Sequence, residues 1–247
     1  MSEELLVNVT PRETRVAVVE NGMLQELHIE RGSQRGVVGN IYKGKVQRVM
    51  PGMQAAFVDI GLDRAAFLHA NDIFRSAQLD SGEVDDPPSA PPMQVQIPIT
   101  ELLRDGAEIV VQVVKDPIGS KGARLTTQIS IPSRYMVLLP RSRVLGISAR
   151  IEDEDERARL KTLMTELARP GSAYGYIAYL KRAWDLVEAG SATAKVGSCV
   201  YEDLSLPLRA VRDLIRRDVE KVKVDSRETC ERLREFAAQY MPGLAEK

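Results

Sequence analysis

Apolar and polar positions alternate with period two over much of the first 131 residues, and the period lengthens towards 3.6 only after Pro140. Residues 5–9, 14–19 and 23–30 therefore read as strands, and Asn21-Gly22 between the second and third is a two-residue hairpin signal. Segments 41–49, 53–60 and 65–68 keep the pattern, followed by 109–115 and 124–131. These later segments make about five strands, the count of an oligonucleotide-binding barrel. Within 53–60, Gln54, Ala56, Val58 and Ile60 share one face, and Phe57 falls on the other between Ala55 and Asp59. The next strand repeats the arrangement, with Ala66 and Leu68 inward and Phe67 outward. Lys43 and Lys45 share one face of the strand before them.

Further along, the spacing predicts helices. Asp153 followed by Glu156 is a capping signal, Leu160, Leu163, Met164 and Leu167 form a stripe, and Arg169-Pro170-Gly171 stops it. The acidic tract 152–156 sits at that helix start, where the dipole and the free N–H groups accommodate negative charge. Residues 179–187 read as helical. Leu208, Val211, Ile215, Val219 and Val222 show 3-4-4-3 spacing, which predicts one amphipathic helix. Asp225 precedes a second, with Cys230, Leu233, Ala237 and Tyr240 on one face and Pro242-Gly243 at its end. Between the strands, residues 75–98 are rich in Pro and Ser, acidic and without periodicity, so they read as a surface insertion.

Charge changes the picture locally. Net charge is −1 over 247 residues, which announces no polyanion partner. From Arg31 to Met50, however, there are five basic residues and no acidic one, whereas Asp80, Glu83, Asp85 and Asp86 stand together. Outward rings interleaved with cations suit single-stranded nucleic acid. Bases stack on the rings, worth about 1–3 kcal/mol each, and the cations follow the phosphates. The same alternation also fits a ring packed beneath a neighbouring loop. Cys199, Cys230, His28 and His69 have no metal-ligand spacing, so no zinc site is expected. The N-terminus does not resemble a signal peptide, and no apolar run reaches the roughly 20 residues of a membrane span, so a cytoplasmic protein is expected.

Five stretches carry a resemblance. They are LLVNVTPRETRVAVVENGMLQELHIER (5–31), GNIYKGKVQRVMPGMQAAFVDIG (39–61), GARLTTQISIPSRYMVLLP (122–140), AYLKRAWD (178–185) and VKVDSRETCERL (222–233). In these words and in this order the chain resembles the N-terminal half of the ribonuclease E/G family of bacterial endoribonucleases. The resemblance implies an α+β fold, with an S1-type OB-fold β-barrel and a 5′-sensor region inserted in a ribonuclease-H-like domain. Carried over, residues 1–35 and 207–247 form the ribonuclease-H-like domain, 36–126 the S1 barrel and 127–206 the sensor. The family's stacking aromatics fall on Phe57 and Phe67, and the Lys of its KG-x-x-LTT segment on Lys121; with Lys43 and Lys45 these are the expected RNA-binding residues. Ser133 and Val137 fall on the sensor's phosphate loop, where the family often has Gly at the first position. Backbone N–H groups and a hydroxyl can still hold a phosphate there. Arg150 stands where sensor arginines occur, beside Ala149 in place of a basic residue, and both a phosphate ligand and a plain surface arginine remain open.

The family's substrate class is single-stranded, A/U-rich RNA, and it processes ribosomal RNA. Its catalytic unit resembles DNase I and holds Mg²⁺ with paired Asp residues. No acidic pair in these 247 residues has that context, and the Cys pair of the family's interface zinc is absent. The expectation is the RNA-reading half of the enzyme, inactive by itself, with homodimers or homotetramers formed at full length. A stand-alone, non-catalytic S1-type RNA-binding protein is the alternative. One further departure concerns GSAYGY (171–176). Relatives follow it with a segment of roughly twenty residues carrying an Arg-Thr pair that clamps a 5′-monophosphate. Here Tyr176, read as a strand residue, runs straight into a helix at Ile177. The expectation is therefore that a mobile loop belongs between them and that the two are not directly joined.

Overall fold

The computed structural model describes residues 2–74, 97–133, 136–140, 145–147, 153–167, 175–215 and 219–240. The first strands are β1 (Glu3–Val9), β2 (Glu13–Glu20), β3 (Met23–Arg31), β4 (Ile41–Met50), β5 (Ala55–Asp59) and β6 (Ala66–His69). After the short helix α1 (Ile99–Leu102) come β7 (Glu108–Lys115), β8 (Arg124–Thr126), β9 (Ile131–Pro132), β10 (Met136–Leu138) and β11 (Leu145–Ile147). The chain ends with α2 (Glu154–Leu167), α3 (Gly175–Thr193), β12 (Ser198–Tyr201), α4 (Leu206–Leu214), β13 (Val219–Val224) and α5 (Arg227–Tyr240). The acidic, Pro-rich residues 75–96, Arg150, Arg169-Pro170-Gly171 and Pro242-Gly243 lie outside the described residues, as do the side chains of Leu163, Met164, Leu167 and Tyr240.

β1, β2 and β3 form an antiparallel meander, and Asn21 and Gly22 at its turn take φ of 50° and 80°. Two positive φ values are what a type I′ hairpin requires. β13 arrives from the far end of the chain and pairs parallel with β1, so the sheet order is β13-β1-β2-β3. Leu5, Val7, Val16 and Val18 turn one face of this sheet towards Leu206, Ala210 and Val211 of α4 and Leu233 of α5. The 3-4-4-3 spacing through Val222 is therefore not one helix. α4 stops at Leu214, and Val219–Val224 is a strand. Val219, Val222 and Val224 are β-branched, and pairing with β1 supplies the backbone partners that helical spacing alone cannot. Ser226 caps α5, its Oγ accepting from Thr229 N at 3.2 Å. Asp225 just before it accepts from Val9 N at 2.8 Å and ties α5 to β1.

The second sheet closes on itself. β4 pairs with β5 through residues 45–50 and with β7 through residues 41–45. β5 pairs with β6, β6 runs parallel to β8, and β8 pairs with β7. The result is a five-stranded OB-fold barrel, and the chain as a whole is an α+β protein. Val46, Ala56, Val58, Ile60, Ala66 and Leu68 fill it together with Val111, Val113 and Leu125, and Ile99 of α1 packs against the same core. Each fully buried Leu or Val contributes about 1.5–3 kcal/mol by transfer alone. Residues 124–131 are not one strand: β8 ends at Thr126, and β9 joins the separate sheet β11-β10-β9.

A third core joins these units. Ile41, Ile129 and Ile131 pack against Leu180, Ala183 and Val187 of α3, while β12 pairs with the start of β4. α3 runs unbroken from Gly175 to Thr193. Tyr176 is thus helical, and Tyr176 and Ile177 are successive residues of one helix. The strand assignment of Tyr176 is overturned. α2 begins as its capping signal predicts, with Asp153 Oδ1 accepting from Asp155 N at 3.0 Å.

Candidate nucleic-acid interface

Strand register assembles an aromatic ladder on the outer face of the barrel. The β5–β6 pairing sets Phe57 directly opposite Phe67, and the two rings meet edge to face at 6.1 Å and 70°. His69, two residues beyond Phe67 and so on the same face, continues the ladder at 6.4 Å. Both Phe residues are half-buried, whereas Ala56, Val58, Ala66 and Leu68 beside them are fully buried inside. Ala55, on the aromatic face, is also fully buried, between the flanking strands.

Phe57 and Phe67 form the floor of a groove of about 840 Å³. Met53 and Ile118 line it as further apolar groups, 52% and 72% exposed. Its cations are Arg64, Lys115, Lys121 and Arg124, and its acid is Asp116. The wall is the tight loop 118–121, whose ends exchange backbone hydrogen bonds between Ile118 and Lys121 at 3.2 and 3.0 Å. Arg64 Nη1 donates to Gly119 O and latches this loop beside β6. Gly122 lets the next residues approach: a Cβ there would lie 2.0 Å from Ala65 O, so no other residue fits. Arg124 faces Phe67 across the β6–β8 pairing, and its Nε and Nη2 donate to Asp72 Oδ2 at 3.1 and 3.0 Å. Asp116 Oδ1 accepts from Val37 N and Val38 N at 2.6 and 3.2 Å. A flat apolar floor ringed by cations can stack bases and hold the phosphates between them.

Of the expected RNA-binding residues, the structure brings Phe57, Phe67 and Lys121 into this groove and leaves Lys43 and Lys45 out of its lining. Lys43 is half-buried and pairs with Glu108 at 3.3 Å. Lys45 is exposed but stands in register between Asp59 and Glu108. Arg64, Lys115 and Arg124 are the cations that sequence reasoning missed. They come from three segments whose adjacency follows from strand pairing, and period-two alternation carries no signal for that.

The expected phosphate loop lies elsewhere, at β9 and β10. Ser133 is buried, and its Oγ has no hydrogen-bond partner. Val137 is half-buried and pairs with Pro132. Arg212 of α4 is buried too. It donates from Nε and Nη2 to Asp213 at 2.8 and 2.9 Å and from Nη1 to Pro132 O at 3.1 Å, so it anchors the start of this loop. Away from the groove, Tyr42 and Cys199 meet across the β4–β12 pairing, and burial pushes both the phenol and the thiol up. Among the described residues no group of three His, Cys, Asp or Glu could hold a metal ion, so nothing described here fits a Mg²⁺ centre. Among the same residues no helix is long and apolar enough to cross a membrane.

Two family models match the chain. The S1 RNA binding domain covers residues 37–115, which hold four of the five barrel strands, and the Ribonuclease E/G family covers 130–178 and 176–247. Ribonuclease G of Escherichia coli (strain K12) is 46% identical over 263 aligned positions, covering all of this chain and 52% of that protein. Ribonuclease G of Haemophilus influenzae is 47% identical over 99% of the chain and 52% of its own length. Ribonuclease E of Haemophilus influenzae is 33% identical over 97% of the chain and 26% of its own length. The chain therefore spans about half the length of the ribonuclease G relatives. The alignment with the Escherichia coli protein has 263 positions against 247 residues here, so at least sixteen of its positions have no counterpart. The family match breaks at 176–178, inside α3.

Proposed function

Because the chain belongs to the ribonuclease E/G family, we propose that it binds single-stranded RNA in the groove over Phe57 and Phe67. On this reading it is the RNA-reading part of an endoribonuclease of the ribonuclease G type. The observation that carries the reading is the pairing of two half-buried rings in one groove with Arg64, Lys115, Lys121 and Arg124. Bases lie on the Phe rings, and Lys121 and Lys115 meet the phosphates. Arg64 and Arg124 keep their own partners and shape the walls. Lys45 contributes long-range attraction only, and Lys43 is structural.

Phosphodiester cleavage and its Mg²⁺ belong, on this proposal, to the part of the relatives that the chain does not span, as do their homodimeric or homotetrameric assembly and their processing of ribosomal RNA. These 247 residues bind RNA in the cytoplasm without cutting it. The domain assignment follows the same lines, with residues 1–35 and 207–247 as the ribonuclease-H-like domain, 36–126 as the S1 barrel and 127–206 as the sensor.

A 5′-monophosphate is met by the loop at Ser133 and Val137. The unpartnered, buried Ser133 Oγ supports an acceptor site there. Without an Arg-Thr pair between Tyr176 and Ile177, the clamp lacks its charged fork, and preference for 5′-phosphate is weak. The deciding experiment is binding of one single-stranded oligoribonucleotide with a 5′-monophosphate or a 5′-hydroxyl, with and without Mg²⁺. Tight binding of both within about tenfold, with no chelator-sensitive cleavage, is expected; 1.4 kcal/mol corresponds to that factor. Failure of both to bind, or clean Mg²⁺-dependent cutting, overturns the reading.

A further inference from the structure

Strand register lines up four residues in one row across the outer face of the barrel. Arg48 of β4 lies opposite Phe57 of β5, Phe57 opposite Phe67 of β6, and Phe67 opposite Arg124 of β8. The row reads cation, ring, ring, cation. A β-bulge creates its first member. Val46 pairs with Val58 and Arg48 with Phe57, so Gln47 is an extra residue in β4. Strict alternation from Val46, which fills the core, would turn Arg48 inward opposite Ala56. With the bulge, Val49 takes that inward place and packs against the core, and Arg48 comes out on the aromatic face.

Arg48 is exposed, and its guanidinium makes no ion pair or hydrogen bond among the described residues. Asp105 borders this part of β4, its Oδ1 accepting from Val49 N at 2.7 Å. Lys45, the other exposed cation of the strand, stands between Asp59 and Glu108, whereas Arg48 has a ring opposite it. The groove draws its cations from the other side of the rings. Arg64 lies in the β5–β6 turn, Lys115 ends β7, Lys121 precedes β8 and Arg124 opens it. A strand of RNA with bases on both Phe57 and Phe67 crosses the β-strands and leaves Phe57 over β4, beyond that lining. We propose that Arg48 holds the phosphate next to the base on Phe57, an RNA contact outside the groove that rests on the reading of the groove given above. A guanidinium offers a phosphate two parallel charge-assisted hydrogen bonds, and a free one on this face has no other partner to give up.

The test is titration of a single-stranded oligoribonucleotide, followed by fluorescence polarisation over a range of salt concentrations. Arg48→Gln should weaken binding about threefold at low salt and lower the slope of log affinity against log salt by about 0.7, the share of one phosphate on a single strand. Arg48→Lys keeps the charge and should restore most of that slope. Because Arg48 is exposed, urea unfolding of both variants should match that of the unsubstituted chain, which separates a contact from a structural role. In a Phe57→Ala background the loss from Arg48→Gln should shrink, since the neighbouring base is no longer held. With Lys121→Gln, on the far side of the rings, the losses should add. An unchanged slope for Arg48→Gln, while Phe67→Ala weakens binding, overturns the Arg48 contact and leaves the groove standing. No loss from Phe67→Ala overturns the groove itself, and the Arg48 contact with it. Full additivity of Arg48→Gln with Phe57→Ala as well as with Lys121→Gln overturns the contact too, because it marks attraction at a distance.

Discussion

The barrel and the four-stranded sheet both expose large apolar side chains, but they differ in the charges and the backbone around them. In the barrel, Met53, Phe57, Phe67 and Ile118 lie among four cations, and the strand ladder from β4 round to β7 has no open edge. In the sheet, Leu24, Leu27 and Ile29 alternate with Gln25, Glu26, His28 and Glu30 on a strand paired on one side only. The first surroundings suit a polyanion with flat apolar bases. The second leave one side of the β3 backbone unpaired among mixed charges. Neighbouring charge and the state of backbone pairing separate the two surfaces.

The largest effects should come from the two cores. Leu68→Ala in the barrel and Leu5→Ala in the sheet each remove a fully buried side chain and should cost about 2–5 kcal/mol in urea unfolding. Where both variants stay folded, only Leu68→Ala should also weaken RNA binding, because Leu68 sits between Phe67 and His69. Equal RNA losses from the two would break the separation of the units.

The groove comes next. Phe57→Ala or Phe67→Ala should weaken binding of single-stranded RNA by about 1–3 kcal/mol without lowering stability by a comparable amount. Leu24→Ser on β3 should leave RNA affinity unchanged in the same titration. A smaller effect distinguishes the lysines. Lys121→Gln should lower the salt dependence of RNA binding by roughly one phosphate contact, read from affinity against salt concentration. Lys43→Gln should change affinity by under about 1 kcal/mol, since Lys43 is already paired with Glu108. A larger loss for Lys43 than for Lys121 would move the RNA path towards β12.

The smallest effect is at the back of the barrel. Cys199 is exposed at the surface, yet partial desolvation raises its thiol, so its reactive thiolate forms at higher pH than in a free thiol. Alkylation of Cys199 in the folded chain should therefore lag behind that of a free thiol at neutral pH, and the two should converge as pH rises. Labelling at the free-thiol rate at neutral pH would contradict the raised thiol.

Much of this arrangement was legible in the residues, and the reasons are local. The pleat forces successive side chains to opposite faces, so Phe57 and Phe67 were separable from Ala56, Val58, Ala66 and Leu68 before any contact was known. Asn21-Gly22 specifies its turn because few other pairs tolerate two positive φ values. The residues alone therefore determine which faces are apolar, where the tight turns fall, and the words that place the chain in the ribonuclease E/G family. What they leave open is every choice settled by a distant partner. Val219–Val224 became a strand because β1 offered an edge, although its spacing also suits a helix. Tyr176 became helical within α3, which packs against Ile41, Ile129 and Ile131 further along its length. Lys43 pairs with Glu108 outside the groove, and Arg64, Lys115 and Arg124 reached the groove through the closure of the barrel. A side chain's face is fixed by its own two neighbours. Its company is fixed by strands and loops tens of residues away, and only the tertiary structure brings those together.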